Sequence, residues 1–348
     1  MKLVFLGLTI TSSWGNGHAT NYRALCSALL ARGHEVIFLE RDKPWYASNR
    51  DFDADWVELY DSLDDLGAWE DDVRTADLVL VGSFVPEGAA VAEWALETAQ
   101  GLVAFWDIDT PVTVAALRRG DCEYLTPALV PRFDLYLSFT GGPLLDALGA
   151  RRPHAFWCTV DPAGYAPVPA PLRWQLGYLG TYSADRQPGL EELLLLPARR
   201  LPNLRFAVAG PMYPDGVEWA ENVERIENVP PREHAAFYSS QRFTLNLTRA
   251  DMVRAGWSPS VRLFEAAACA VPIVSDWWEG LDTFFEPGRE ILVARDADEV
   301  VRVLTQVPED ERRRIGGRAR VRVLREHTSA RRATELERLV NEVARAPA

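Results

Sequence analysis

Lysine is nearly absent from this chain: of 37 basic residues only Lys2 and Lys43 are lysines. Arginine forks suit phosphate groups, although codon bias in the source genome produces the same skew. Cysteine is scarce and scattered. Cys26, Cys122, Cys158 and Cys269 form no CxxC pair and sit in largely apolar stretches, as reduced core residues do. The five histidines show no HxxxH spacing, so no metal site is expected. No apolar run reaches the roughly 18 residues that span a membrane. The opening MKLVFLGLTI has no small-residue cleavage site behind it and fits a first buried strand better than a signal peptide; a cytoplasmic protein is expected. An excess of positive charge is missing as well. A net charge of −13 argues against nucleic acid and anionic membranes as partners, since both need a basic footprint.

What is present suffices for two cores. The chain has 348 residues, 48% of them hydrophobic and 25% charged, long for one domain and comfortable for two. KLVFLGL, a helical stretch from Asn21 to Arg32 and HEVIFLE form a βαβ opening, which makes a parallel, doubly wound sheet the expectation. Further strands are predicted at 76–82, 102–106, 133–138 and 155–158. DPAGYAPVPAPLR, from Asp161, has several prolines and no periodicity and reads as a linker. The alternation then restarts with WQLGYLG at 174–180, RFAVAG at 205–210 and FTLNL at 243–247. Two α/β halves should face a central cleft, with ligands outside the carboxyl ends of their strands. The expected domains are 1–165, 166–328 and a terminal amphipathic helix over 329–348 that packs on the outside, with the first domain as its candidate partner.

The stretch 246–290 holds the main candidate site. Ser258 is a good N-cap with Pro259 at the first helical position. The helix that follows is apolar nearly all round, with Arg262 and Glu265 three residues apart on one face. Charges buried there need partners or a ligand, and a helix N-terminus at a cleft suits a phosphorylated one. An Arg262–Glu265 ion pair is the structural alternative. In the second strand-end loop, Gly180-Thr181-Tyr182-Ser183-Ala184-Asp185-Arg186, the arginine either grips a diphosphate or bridges Asp185.

In the first half, Gly15-Asn16-Gly17-His18 lies between strand and helix, where glycine permits close backbone approach. With Glu40 at the end of the second strand, Gly15 and Gly17 make a partial dinucleotide signal, and a nicotinamide-dependent oxidoreductase is the alternative enzyme. His18 reads as a general base or as a helix-start residue bonded to backbone. Asp107 and Asp109, in WDIDTP at a strand end, read as sugar-contacting or proton-accepting carboxylates, or as a helix cap. Trp45-Tyr46 and Trp277-Trp278 are loop aromatics suited to sugar rings or planar aglycones.

SVRLFEAAACAVPIVSD…GLDTFFEPGREILV, with GNGH, WDIDTP, CTVDPAGYAPV, LGTYSADR, FAVAGPMYP and LNLTRADMVRAG, resembles the GT-B glycosyltransferases. It is similar to their CgeB-like (spore-maturation type) branch, related to glycosyltransferase families one and four. The resemblance implies two Rossmann-like domains and hexosyl transfer from a UDP- or TDP-type nucleotide-sugar to a small-molecule or saccharide hydroxyl, with no metal or other cofactor. It implies that Glu265 holds the donor ribose and that Arg186 contacts the diphosphate. It further implies that Gly256, Ser258 and Ser260 present amides to the phosphates and that Val229 lies beside the base. Gly17, Gly180, Thr181, Asn246 and Arg262 complete the expected donor and loop set. His18, Asp107 and Asp109 are the expected acceptor-activating groups. Two positions depart from the pattern. Trp257 stands where family four usually has a second glutamate, and Ala270 replaces a usual helix-ending glycine; the first leaves inversion or retention open. A non-catalytic, saccharide-binding GT-B-like protein is the further alternative.

Overall fold

An apolar strand, a crossover helix and a second apolar strand can return to one sheet only in parallel, and both halves of the chain are built by repeating that unit. The computed structural model describes residues 1–14 and 17–345. They form two compact units, one made of residues 1–159 together with those from 329 onward, the other of residues 160–328.

The first unit has a seven-stranded parallel sheet of β1 (Lys2–Gly7), β2 (Glu35–Arg41), β3 (Val57–Tyr60), β4 (Leu78–Gly82), β5 (Leu102–Asp107), β6 (Leu135–Ser138) and β7 (Pro153–Ala155). Its order is β3-β2-β1-β4-β5-β6-β7, so the winding reverses between β1 and β4, the position where such sheets open a ligand crevice. Strands covered on both faces read as continuous apolar runs, and Val4, Leu6, Val79, Val81, Phe105 and Tyr136 are buried in one core. The last helix, Ser329–Arg345, packs on the first, His18–Ala31, burying Leu336 and Leu339. Glu337 pairs with Arg32 and lies 2.6 Å from His34 Nε2; Glu335 lies 2.7 Å from His154 Nε2.

The second unit has a six-stranded parallel sheet of β8 (Trp174–Leu179), β9 (Phe206–Ala209), β10 (Val223–Ile226), β11 (Gln241–Asn246), β12 (Ile273–Ser275) and β13 (Leu292–Val293), in the order β10-β9-β8-β11-β12-β13. Leu176, Val208, Phe243, Leu245 and Val274 share its core. The doubly wound α/β expectation is met in both units.

The local differences have physical causes. β3, β10 and β13 lie at sheet edges, where one side faces no partner strand and a polar or two-residue strand suffices. β7 begins at Pro153 instead of Ala155, paired Tyr136↔Pro153 through Ser138↔Ala155; proline is tolerated at the first residue of an edge strand. The site helix begins at Val261, so Ser260 is its N-cap and Ser258 is not. Gly256 and Trp257 both have left-handed backbone (φ 68° and 43°), and the chain after that turn is still extended at Ser260 (φ −82°, ψ 149°).

Candidate functional site

In the second unit, the carboxyl end of β8 meets the start of the helix Val261–Ala268. Gly180 follows β8, and its lack of a side chain decides the local geometry. A Cβ there would stand 2.7 Å from the Arg262 guanidinium and 2.6 Å from the Tyr178 hydroxyl. Arg262 uses that opening: it donates to the Leu179 carbonyl and to Asn246 Oδ1 (3.2 Å) and lies 4.8 Å over the Tyr178 ring. Arg186 donates to the Thr181 carbonyl at 2.8 Å and lines a small crevice with Tyr178 and Tyr213. Asp185 does not bridge it; that carboxylate accepts from the Ala250 N–H at 3.0 Å and lies 3.7 Å from Arg249. Among the described residues neither Arg186 nor Arg262 has a carboxylate partner, so both keep positive charge for a ligand.

Asn246 is buried, and its amide is engaged on every side. Oδ1 accepts from Ser260 Oγ (2.7 Å) and Arg262; Nδ2 donates to Thr248 Oγ1 (3.3 Å) and Ser275 Oγ (3.0 Å). It positions Ser260 and Arg262 and is not itself placed to touch a ligand. Ser258 is buried. At Gly256 a Cβ would come 2.8 Å from the Glu279 carbonyl.

Glu265 is 5% exposed and forms no ion pair with Arg262. It accepts from the Tyr238 hydroxyl at 3.3 Å and lies 3.8 Å from His234 Nδ1. His234 donates from Nε2 to the Val229 carbonyl at 3.0 Å, and its Nδ1 lies 3.1 Å from the Tyr165 hydroxyl. One imidazole thus stands between the Val229 carbonyl and the Glu265 carboxylate. Burial pushes the Asp276 carboxyl up, opposed by the Thr248 hydrogen bonds.

In the first unit, Gly17 precedes the helix His18–Ala31 and its carbonyl accepts from Thr20 Oγ1 at 2.8 Å; Gly15 and Asn16 lie outside the described residues. His18 Nε2 is 3.8 Å from Asp109 Oδ2, and Asp109 heads the helix Thr110–Arg119. Asp107 corrects the sequence expectation. It is fully buried and accepts from the Tyr136 hydroxyl (2.7 Å), Thr113 Oγ1 (2.8 Å) and the Asp109 N–H (3.3 Å). It therefore braces Asp109 and is out of reach of an acceptor. Burial pushes its carboxyl up to about 6, against the pull of those hydrogen bonds. Glu40 is also corrected. It is buried and takes four hydrogen bonds, from Thr9 Oγ1 (2.8 Å), Ile10 N (2.6 Å), Thr11 N (2.9 Å) and Thr11 Oγ1 (2.7 Å). A carboxylate so filled anchors the loop behind β1 and has no room for a dinucleotide ribose.

Residues 186–338 match the model of the family described as glycosyl transferase-like. No curated relative matches in sequence. Among solved structures, sucrose-phosphate synthase from Thermosynechococcus elongatus is 15% identical, with each chain covered in full and a TM-score of 0.68. HepE from Anabaena, solved with UDP-glucose, is 13% identical over 98% of this chain and 100% of its own, with a TM-score of 0.70. AviGT4, a glycosyltransferase involved in avilamycin A biosynthesis, is 17% identical over 99% of both chains, with a TM-score of 0.62. The fold is that of the GT-B glycosyltransferases.

Within the GT-B fold, the structure brings Gly180, Thr181, Arg186, Asn246, Ser260 and Arg262 to the carboxyl end of the second sheet's central strands, with Glu265 one turn along the helix. It brings His18 to Asp109 in the first unit. Sequence reasoning missed Tyr178, His234 and Tyr165. Tyr165 lay in a segment read as linker and quoted for the resemblance without a role for the tyrosine, and His234 carried no motif of its own.

Proposed function

We propose that this GT-B protein is a metal-independent, CgeB-like glycosyltransferase of the cytoplasm that moves a hexosyl group from a UDP- or TDP-type nucleotide-sugar to a hydroxyl acceptor. The observation that carries the reading is the pair of arginines, Arg186 and Arg262, that have no carboxylate partner among the described residues and are set around Tyr178 beside the N-terminus of the helix Val261–Ala268. Guanidinium groups and a helix N-terminus are what a departing diphosphate needs. Glu265 suits the ribose hydroxyls and the Val229 segment the base. The UDP-glucose complex of HepE supports a uridine donor.

In the first unit His18, oriented by Asp109, takes the acceptor proton. The acceptor oxygen bonds to the anomeric carbon, the bond from that carbon to the β-phosphate oxygen breaks, and the nucleoside diphosphate leaves with the electron pair. With a base on the acceptor and Trp257 at the second-glutamate position, inversion is the stereochemical outcome proposed. The positive charge comes from the two arginines and the helix, so EDTA should leave transfer unchanged.

Calorimetry with UDP tests the reading. Binding in the micromolar range, weakened at least tenfold in Glu265→Ala, is expected. Absence of UDP and TDP binding at millimolar concentration would refute it.

A further inference from the structure

The first unit contains a cavity of about 450 Å³, within the size range of small-molecule sites. Leu8, just past β1, and Phe84, Val85 and Pro86, just past β4, line it, so it opens at the point where the strand order reverses. Its walls are mainly aromatic and aliphatic. Trp45 and Tyr46 form one edge-to-face pair, with centroids 5.8 Å apart. Phe84 and Tyr124 form a tilted pair at 4.7 Å. Val112 and Ala116 come from the helix that Asp109 heads.

The wall is held in place against local preference. Phe84 and Glu87 both have left-handed backbone, at φ 63° and 54°, a strain that persists only where surroundings enforce it. Glu87 is tied to Arg41 at 2.6 Å. Gly88 packs so closely on Tyr124 that a Cβ would stand 2.6 Å from the tyrosine Cβ.

Resting on the glycosyltransferase reading, we propose that this cavity takes the acceptor and that the acceptor is a planar, largely apolar phenolic aglycone rather than a sugar. A saccharide here would lose water from several hydroxyls, and the charged side chains that could replace it, Lys43, Arg119, Asp121 and Glu123, are outnumbered by apolar ones in the wall. The Tyr124 hydroxyl is already bonded to Thr113 Oγ1 at 2.8 Å, and Arg119 is paired with Asp121 at 2.9 Å. Aromatic faces and edges, by contrast, suit a flat ring system. Lys43 stands at the rim with its ammonium 5.8 Å from the Trp45 ring centroid. It has no carboxylate partner among the described residues and accommodates a polar or anionic substituent of the ring. Val112, which lines the cavity, is three residues into the helix from Asp109, about 5 Å along its axis, so the cavity wall and the residue beside His18 belong to one helix.

Umbelliferone, a planar hydroxycoumarin, is the probe, titrated calorimetrically into the full chain without donor. Micromolar binding is expected, with no heat from glucose or maltose. Ala116→Trp, which fills the cavity, should weaken it at least tenfold. Trp45→Ala should weaken it three- to tenfold; Trp45 is 53% exposed, so this second variant does not strain the core. UDP, titrated into the same samples, should bind all three proteins alike. Umbelliferone affinity unchanged in both variants, or saccharide binding in its place while UDP binds, overturns the acceptor assignment alone. Failure of UDP to bind the wild-type chain overturns the reading on which it rests.

Discussion

The Arg262 guanidinium lies over the ring of Tyr178, 4.8 Å from its centroid, in space that exists because residue 180 has no side chain. Gly180→Ala must therefore move either Arg262 or the Tyr178 hydroxyl. UDP affinity should fall by roughly tenfold, about 1.4 kcal/mol, while the far-ultraviolet circular dichroism stays that of the wild type. A dissociation constant within twofold of wild type would show that Arg262 does not need that position.

Burial raises the Asp107 carboxyl to about 6, above its ordinary value near 4. The native state then holds a proton that the unfolded chain releases between about pH 4 and pH 6. Stability from this group is present below pH 4 and is lost as pH rises through 6, by an amount on the order of 3 kcal/mol at most. Asp107→Asn should remove that loss. Urea midpoints of the two proteins, taken from pH 4 to 7, should diverge in this window; parallel curves would refute the assignment.

Glu40 accepts two backbone and two hydroxyl hydrogen bonds with its carboxylate buried. Glu40→Gln puts amide hydrogens among those donors and should cost about 2–4 kcal/mol, read as a lower urea midpoint with an unchanged m-value. Because the carboxylate is filled, NADH should give no fluorescence change with the wild-type protein. An NADH complex would revive the oxidoreductase alternative.

Ala270 ends the site helix at φ 56°, a conformation that costs an L-residue roughly 1–2 kcal/mol. Glycine there relieves the strain but adds unfolded-state entropy. Ala270→Gly should therefore stabilise by about 0.5–1 kcal/mol, seen as a higher urea midpoint with UDP affinity unchanged.

Much of the fold was legible because buried parallel strands are written as apolar runs: KLVFLG, LVLVG, LVAFWD and FAVA each announce themselves. VELY and VERI do not, since an edge strand keeps polar residues. Helix starts were less legible. Ser258-Pro259 has the composition of a cap, but a left-handed turn at Gly256 and Trp257 delays the helix to Val261. At the site, residue type alone marked Arg186 and Glu265. It could not separate a carboxylate facing a substrate from one fastened to the protein. Asp107 and Asp109 share one DxD and take different positions, and Glu40 at its strand end resembled a ribose ligand until its four donors were seen. His234 joins Val229 to Glu265 from 31 residues before the carboxylate, a relation that only folding creates.

The helix Ser329–Arg345 completes the first unit only after the chain has passed through all of the second. Domains generally close in the order of their synthesis, and here that order is inverted for one element. Residues 160–328 are contiguous and can close as soon as they emerge. The first unit meanwhile waits, with the side of the helix His18–Ala31 on which the last helix packs still open to a chaperone or to a neighbouring chain.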